Sequence, residues 1–375
     1  MTVNLEMRGG VAVLTINHPP VNALGAAVKR ALLDHLDAAL TDDAVNAVVI
    51  AGAGKHFSAG ADLREFGEAA AKGPLLPDLI DRLEKSPKPV VAALHGTVAG
   101  GALELALGCH YRIAEDGAEL TLPEVALGIL PGAGGTARLP RLVGVEAALD
   151  LILSGRRVGA PEAAALGLVD EAVARNTARE AAVAFAERVS RRSPRRTRDL
   201  AVAAPAPEVL ARVEAGVKKT ARGRKAPQAA FDCVKKAIGL PFDEALRLER
   251  GVFLDLLNRD ESRALRHVFL AEREAQKAGE LKKGTTVRAI RSVGVVGFGT
   301  MGGGIAMAFG NAGIPAVVID ETPEAVDLGL ARVRATYEES FARGRLTGEQ
   351  CDERLASIRG ATDYRELAEA DLVIE

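Results

Sequence analysis

Short apolar runs alternate with amphipathic segments along the first half of the chain. Runs of mostly β-branched and small apolar residues lie at Val11–Ile16, Ala47–Ala51 and Pro89–Leu94, and such runs are typical of strands buried on both faces. Between the first two runs, residues 23–40 carry apolar side chains at positions 28, 31, 32, 36 and 39 or 40, which form one face of a helix. The alternation continues to about Val173. It predicts repeated β–α units around a largely buried sheet.

The pattern changes after residue 187. Six arginines lie between residues 188 and 198, and the stretch AAPAPEV follows at 203–209. We interpret the arginines as a solvated surface; contact with a phosphate-bearing ligand is the alternative. Residues 277–286 predict a second linker. Just before it, residues 260–277 predict a charged helix with apolar residues spaced to cover a neighbouring surface, namely Ala264, Leu265, Val268, Phe269 and Ala271.

Composition indicates a multi-domain protein with an ordinary polar surface. The 375 residues exceed the usual size of one domain, and 48% of them are hydrophobic. A net charge of −2 argues against nucleic-acid or membrane-surface binding. We predict no membrane span and no secretory signal, because no uninterrupted apolar run is long enough. Scattered single cysteines predict reduced thiols in the cytoplasm, with no disulfide framework and no metal site; they are Cys109, Cys233 and Cys351.

A glycine fingerprint lies near the carboxyl end. Gly297, Gly299 and Gly302 have G-x-G-x-x-G spacing after the predicted strand SVGVVG, and Thr300 and Met301 complete the turn. This spacing permits a tight turn that brings a pyrophosphate to the free amides of a helix N-terminus. A packing turn without a ligand is the alternative.

An acidic residue completes the fingerprint. Asp320 follows a second predicted strand, Ala316–Ile319, and is placed to bind a ribose hydroxyl of NAD rather than NADP. Because ADLVIE, the last predicted strand, is followed by none of the usual later ones, we expect an incomplete domain that binds NAD poorly or not at all.

A buried carboxylate is the second candidate for chemistry. TVAGGALELALGCHY, residues 97–111, predicts a buried helix with Glu104 at its centre, and an unpaired carboxylate there is costly. Glu104 either faces water, pairs with an arginine such as Arg112 or Arg138, or takes part in a reaction. A second carboxylate, Glu124, lies in the apolar stretch LPEVALGILPGAGG at 122–135.

Two glycine turns accompany these carboxylates. HFSAGADL at 56–63 and GTVAGG at 96–101 are expected to leave the amides of Ala61 and Gly101 unpaired. Asp62 and Glu65 have capping-box spacing. Two amides and two acids in apolar or glycine-rich surroundings predict a site.

These stretches resemble the crotonase (enoyl-CoA hydratase/isomerase) superfamily. PPVNALG, HFSAGADL, GGALELALGCHYRIA and LPEVALGILPGAGGTARLPRLVG occur in family order within roughly the first 190 residues. With the linker and the glycine fingerprint, the chain is similar to the front part of the multifunctional β-oxidation enzymes, which join a hydratase/isomerase to a 3-hydroxyacyl-CoA dehydrogenase. The resemblance implies an α/β crotonase core of ββα repeats at 1–190, linker helices covering it at 191–286, and a partial Rossmann-type NAD-binding domain at 287–375.

The resemblance also implies roles for the matching residues. The amides of Ala61 and Gly101 would form an oxyanion hole around a thioester carbonyl. Glu104 would orient and activate water, and Glu124 would exchange a proton at C2. The glycines in contact with substrate would be Gly60, Gly100 and Gly132. The implied reaction hydrates 2-trans-enoyl-CoA to 3-hydroxyacyl-CoA without a cofactor, with weaker Δ3–Δ2 isomerisation; NAD would serve the dehydrogenase part.

Alternatives remain at this point. The chain could be a non-catalytic module that binds acyl-CoA or NAD, or a thioesterase or dedicated isomerase of the same superfamily, since one fold supports many reactions. The resemblance also implies that residues 260–277 cover the acyl pocket. The expected partner is an acyl-CoA thioester, with no nucleic acid. Acyl chain length and oligomeric state are open, and a peroxisomal location is an alternative to the cytoplasmic one.

Overall fold

The computed structural model describes residues 2–66, 73–275 and 285–375. The chain divides into two compact units, Met1–Lys277 and Ala278–Glu375. Within the described ranges, no helix is long and apolar enough to cross a membrane. In the same ranges, no cluster of His, Cys, Asp or Glu side chains is arranged to hold a metal ion. The three-part division at residues 190 and 286 stays a prediction.

Two sheets form the centre of the first unit. The larger has the order β1-β2-β3-β4-β6-β9, with β1 antiparallel to β2 and the other neighbours parallel; the smaller has the order β5-β7-β8. The strands are β1 Val3–Arg8, β2 Val11–Ile16, β3 Ala47–Gly52, β4 Val90–Leu94, β5 Thr97–Ala99, β6 Tyr111–Glu115, β7 Glu119–Thr121, β8 Val158–Gly159 and β9 Glu171–Val173.

The apolar runs are strands covered on both faces, as predicted. Along β2, Leu14 faces one hydrophobic cluster and Val13 the other; β3 and β4 alternate in the same way. A strand with both faces buried needs apolar residues at every position, which explains why these runs do not alternate with polar residues. After β4 and β6, the chain forms a short strand in the smaller sheet and then a helix or 3₁₀ turn. The α/β prediction with ββα repeats is confirmed.

Helices enclose these sheets. The helices of the first unit are α1 Ala26–Thr41, α2 Leu76–Glu84, α3 Gly101–Gly108, α4 Gly135–Val143, α5 Val145–Ser154, α6 Ala160–Ala165, α7 Ala178–Val189, α8 Pro207–Thr220, α9 Lys225–Ala237, α10 Phe242–Leu257 and α11 Asp260–Ala275. Short 3₁₀ turns lie at Leu63–Glu65, Glu124–Leu127 and Thr197–Asp199. The apolar face of α7 covers the second cluster, whereas side chains of α8, α9 and α10 belong to the first.

Two surface predictions are wrong in part. On α11, Val268 is 50% exposed and Ala264 is also exposed, so these members of the predicted apolar stripe do not cover a neighbour within the first unit. Leu265 does lie close to a neighbour, because a Cβ at Gly128 would be 3.1 Å from it. The helix also contacts the 3₁₀ turn at Glu124–Leu127 through Ser262, whose hydroxyl donates to the Leu127 carbonyl at 3.0 Å. Among the six arginines, Arg198 is largely buried and forms ion pairs. The predicted linker at 277–286 lies mostly outside the described residues.

The second unit is a parallel sheet with helices. Its elements are β10 Val293–Val296, α12 Thr300–Asn311, β11 Ala316–Ile319, α13 Pro323–Ala342, α14 Gly348–Ala356, β12 Ile358–Ala361 and β13 Leu372–Ile374. The sheet order is β12-β11-β10-β13, and every pair is parallel. Strand order therefore reverses beside β10, and in doubly wound folds such a reversal point is where nucleotides bind.

Candidate active site

Glu104 lies inside the first unit on α3, with 3% of its surface exposed. Its Oε1 accepts hydrogen bonds from the amides of Ala133 at 2.7 Å and Gly135 at 2.8 Å. The interpretations that Glu104 faces water or pairs with an arginine are therefore wrong. Arg138 forms a buried ion pair with Glu84 at 2.7 Å instead. The carboxylate is held by backbone amides at the start of α4.

Glu124 begins the 3₁₀ turn that follows β7, and it is 8% exposed. Its Oε2 is buried and has no hydrogen-bond partner within the described residues. A Cβ at Gly100 would lie 2.9 Å from Glu124 Oε1, so glycine at the start of α3 leaves room for this carboxyl group. An unpartnered buried oxygen is unusual in a native protein and is free to exchange a proton with a substrate.

The two carboxyl groups differ in acidity. Burial raises the pKa of Glu124 well above its ordinary value, and the charge of Glu104 raises it further. Burial also raises the pKa of Glu104, but the amides of Ala133 and Gly135 and the charge of Arg138 oppose that change. Because hydrogen bonds to the charged form favour ionisation, Glu104 is the more acidic of the two carboxyl groups.

Two backbone amides lie close together near the first turn of α3. A Cβ at Gly101 would lie 3.4 Å from the nitrogen of Ala61, and a Cβ at Gly60 would lie 3.3 Å from the nitrogen of Gly101. Neither amide donates a hydrogen bond within the part of the chain that the structure describes. Gly60 has φ +92° and a side chain there would strike the Ala99 carbonyl, so this close approach requires glycine. The structure thus brings the two predicted amides together.

An aromatic side chain from α10 reaches the turn at Gly132. A Cβ at Gly132 would lie 2.3 Å from the ring of Phe253, which is itself 7% exposed. Phe66 packs edge-on against Phe253, with 6.1 Å between the ring centroids. Helix α10, from the predicted linker region, therefore forms part of the wall near the carboxylates.

Sequence reasoning missed a further buried carboxylate close to Glu104. Glu249 on α10 is 1% exposed, and it accepts hydrogen bonds from the amides of Gly134 at 2.5 Å and Thr136 at 2.8 Å. It shares the buried face of α10 with Ala245 and Phe253. Glu249 follows Ala245 by four residues and precedes Phe253 by four, so it lies on the apolar face of a helix. This spacing is the signal that could have identified it.

The predicted capping box at Asp62 is wrong. The Asp62 side chain accepts from the amide of Arg64, as an N-cap does. Glu65, however, accepts from the amide of Ala26, at 2.9 Å from each carboxylate oxygen. Glu65 therefore caps α1, which has no side-chain cap of its own at Gly25. Spacing alone did not reveal this, because the capped helix is distant in sequence.

The glycine fingerprint of the second unit forms the predicted turn. Gly297 has φ +89°, and a Cβ at Gly302 would lie 1.8 Å from the Gly297 carbonyl oxygen. Asp320 Oδ2 accepts from the amide of Phe298 at 2.8 Å, and this bond holds the pKa of Asp320 below its usual range. Thr300 and Met301 are exposed at the start of α12. Space is open around Gly299, so the residues present fit a dinucleotide.

Comparison with known proteins identifies both units. The enoyl-CoA hydratase/isomerase family matches residues 6–221, and the NAD binding domain of 3-hydroxyacyl-CoA dehydrogenase matches residues 292–375. A solved enoyl-CoA hydratase/isomerase from Pseudoalteromonas atlantica is 25% identical with a TM-score of 0.55, and the match covers 72% of this chain and 98% of that one.

Curated relatives match along nearly the whole chain. The peroxisomal bifunctional enzyme of Homo sapiens is 39% identical over 379 residues, which are 99% of this chain and 52% of that protein. The peroxisomal fatty acid beta-oxidation multifunctional protein of Arabidopsis thaliana is 36% identical over 390 residues, which are 99% of this chain and 53% of that protein. The chain spans about half the length of the curated relatives it matches. On the match over residues 6–221, the chain belongs to the enoyl-CoA hydratase/isomerase family.

Proposed function

We propose that the first unit adds water across the double bond of a 2-trans-enoyl-CoA to give the 3-hydroxyacyl-CoA. The observation that carries this proposal is the pair of unlike buried carboxyl groups. Glu104 is held ionised by two amides, whereas Glu124 keeps its proton and has an unpartnered oxygen. Two carboxyl groups whose environments separate their pKa values can act as base and acid in one reaction.

The two carboxyl groups together carry out both proton transfers of the hydration reaction. Glu104 accepts a proton from water as the oxygen bonds to C3, and Glu124 donates its proton to C2. Each of these proton transfers contributes a rate factor of about 10² to 10⁴. The proton gained by Glu104 then returns to Glu124 through solvent, which restores the starting state.

The amides of Ala61 and Gly101 are suited to bind the thioester oxygen. Negative charge develops on that oxygen as water attacks C3, and two fixed N–H donors stabilise it without reorganisation. One such donor is worth about 3–4 kcal/mol in other enzymes. We predict that Gly60, Gly100 and Gly132 border the substrate. Because they carry no side chain, the Ala99 carbonyl, the Glu124 carboxyl group and the Phe253 ring can lie against the backbone at these three positions.

The same site supports isomerisation of a Δ3-enoyl-CoA. That reaction moves one proton between C4 and C2 and needs only one carboxyl group. Glu124 is suited to this task in its ionised form: its Oε2, which has no partner within the described residues, takes the proton from C4 and returns it to C2. We infer that isomerisation depends on Glu124 and much less on Glu104.

NAD is the cofactor that fits the second unit. The turn at Gly297, Gly299 and Gly302 would hold the pyrophosphate, with Thr300 and Met301 at the helix N-terminus, and Asp320 would bind the ribose hydroxyls. When bound, NAD supplies a hydride acceptor for the oxidation of a 3-hydroxyacyl-CoA. The hydratase reaction needs no cofactor.

The first experiment follows the loss of the ultraviolet absorbance of a short 2-trans-enoyl-CoA. Wild type is compared with Glu104→Gln and Glu124→Gln, and Glu119→Gln serves as the matched control because Glu119 is half-exposed on β7. We expect hydration by wild type and by the control, and losses of about 10² to 10⁴ in the two site variants. NADH binding is followed separately by NADH fluorescence, since the chain has no tryptophan.

Two outcomes would contradict the proposal. No hydration by wild type, together with measurable binding of the enoyl-CoA, would favour a non-catalytic acyl-CoA module. Isomerisation without hydration would favour a dedicated isomerase.

Compartment and oligomeric state are separate predictions. The relatives named above are called peroxisomal, and Cys109, Cys233 and Cys351 are buried free thiols, which fit a reducing compartment. The cytoplasmic location stays a prediction that fractionation of the source cells would test. Light scattering of the purified chain would give its oligomeric state.

A further inference from the structure

Four consecutive amides at the start of α4 serve two carboxylates. The amides of Ala133 and Gly135 donate to Glu104, and the intervening amides of Gly134 and Thr136 donate to Glu249. The turn 133–136 is therefore fixed by hydrogen bonds to side chains of two different helices, α3 and α10. Helix N-termini favour such negative groups because their amides have no partners within the helix.

Among the residues that the structure describes, the hydrogen-bond donors to Glu249 all lie in this turn. Besides the two amides, the hydroxyl of Thr136 donates to Glu249 Oε2 at 2.6 Å. No ion pair to Glu249 occurs within the described residues. Each of its two oxygens has at least one donor of its own, and all three donors come from Gly134 and Thr136. The turn thus binds both oxygens of the Glu249 carboxylate.

The turn itself has a flexible residue at its centre. Gly134 adopts φ +109°, and glycine can leave this conformation more readily than any other residue. If the amides of Gly134 and Thr136 were not held, the peptide planes on either side could rotate. The amides of Ala133 and Gly135 would then turn away from Glu104.

We propose that Glu249 is a positioning residue for hydration: by holding the amides of Gly134 and Thr136, it directs the amides of Ala133 and Gly135 at Glu104 and so aims that carboxylate at the water. This inference rests on the proposed hydratase function. Glu249 is not a catalytic residue in this account, because it acts through the turn. Helix α10 of the predicted linker region thus contributes a side chain that supports the hydratase site.

Ionisation of Glu249 should make kcat for hydration depend on pH. Burial, and then the charge of Glu104, raise the pKa of Glu249 to about 8, against the donors of the turn. The ionised form binds those donors more strongly, and its charge raises the pKa of Glu124 and so preserves the proton there. Both effects predict that kcat for hydration rises as the pH passes through about 8.

Other charged and titratable groups lie around the Glu249 carboxylate. Glu104 on α3 lies on the other side of the turn, and the charges of Arg138 on α4 and Arg250 on α10 oppose the rise in its pKa. The Cys233 thiol on α9, which contacts Thr136, has a pKa raised to about 11.

The test is Glu249→Gln in the full chain, with Glu244→Gln as the control on the exposed face of α10. A glutamine offers one acceptor, and its NH₂ group would oppose a donor of the turn, so one amide loses its partner. We expect kcat to fall about 10- to 100-fold, as a misplaced catalytic group does. KM should stay within about 3-fold, because Glu249 does not contact substrate. The rise of kcat near pH 8 should disappear.

A second variant keeps the test decisive if Glu249→Gln does not fold, which circular dichroism would show. Thr136→Val removes one donor to Glu249 and keeps both amides, so it raises the pKa of Glu249 and should shift the rise in kcat to higher pH. Unchanged kcat in Glu249→Gln, or an unshifted profile in Thr136→Val, would overturn the proposal. Absence of hydration by wild type would instead overturn the proposed function.

Discussion

Replacement of Glu104 by glutamine is expected to remove hydration while the fold stays intact. Both amides that hold this side chain donate to one oxygen, Oε1. A glutamine carbonyl oxygen can accept both of these bonds, and its NH₂ group then takes the place of Oε2. Glu249 differs, because each of its oxygens serves its own donors. The same chemical change is therefore tolerated at position 104 and disruptive at 249.

The size of each effect follows from the geometry. Loss of the general base should lower kcat about 10²- to 10⁴-fold, or about 3–5 kcal/mol in the barrier. The free energy of unfolding should change by less than about 2 kcal/mol, because both hydrogen bonds persist, although to a neutral acceptor. Glutamine also removes the cost of burying a charge.

The effect on stability depends on pH with a definite sign. Burial raises the pKa of Glu104 in the folded state, so this group stabilises the fold at low pH and loses that contribution as the pH rises. Glutamine does not titrate. The stability of Glu104→Gln relative to wild type should therefore be greater at pH 8 than at pH 4.

Hydration rates and urea unfolding at both pH values check these expectations, with Glu119→Gln as the control. Hydration above a tenth of the wild-type rate in Glu104→Gln would refute the role of this residue as the base. A loss of more than about 4 kcal/mol in the free energy of unfolding would refute the hydrogen-bond argument.

Three further predictions concern other sites. Glu84→Gln breaks an ion pair in which both partners are 1% exposed, and it should lower the free energy of unfolding in urea by about 3–5 kcal/mol, against about 1 kcal/mol or less for Glu119→Gln. Burial lowers the pKa of His110 to about 4. Neutral His110 therefore makes its full contribution to stability above about pH 6.5, and this contribution of about 3 kcal/mol is lost as the pH falls towards 4. In urea unfolding, His110→Gln should remove this part of the acid sensitivity. Gly302→Ala places a Cβ 1.8 Å from a loop carbonyl and should weaken NADH binding, followed by fluorescence, more than 10-fold, whereas Gly304→Ala faces open space and should have little effect.

Much of the fold followed from local chemistry. Strands such as Val11–Ile16 are apolar at every position because sheet and helices cover both faces. The glycines of the second unit needed little tertiary information, since one tight turn between a strand and a helix requires them. The stripe on α11 was misjudged, because apolar periodicity shows which face is available and not what covers it.

The candidate site was predictable in its members but not in its contacts. A glutamate in a helix as apolar as α3 is conspicuous, and so is Glu124 in its apolar turn. The partner of Glu104 was not predictable, because arginine and backbone amide are both suitable donors for a carboxylate. Only the packed structure shows that Arg138 is occupied by Glu84 while the turn at 133–136 is free to hold Glu104.

The sequence by itself determined which segments are buried, where the backbone must turn tightly, and which carboxyl groups are expensive to bury. The tertiary structure decided which groups meet. Glu65 caps a helix that begins 39 residues earlier, and Glu249 holds a turn 113 to 115 residues away. Hydrogen bonds depend on direction and on distances of about 3 Å, and no pattern along one chain encodes such contacts between segments so far apart.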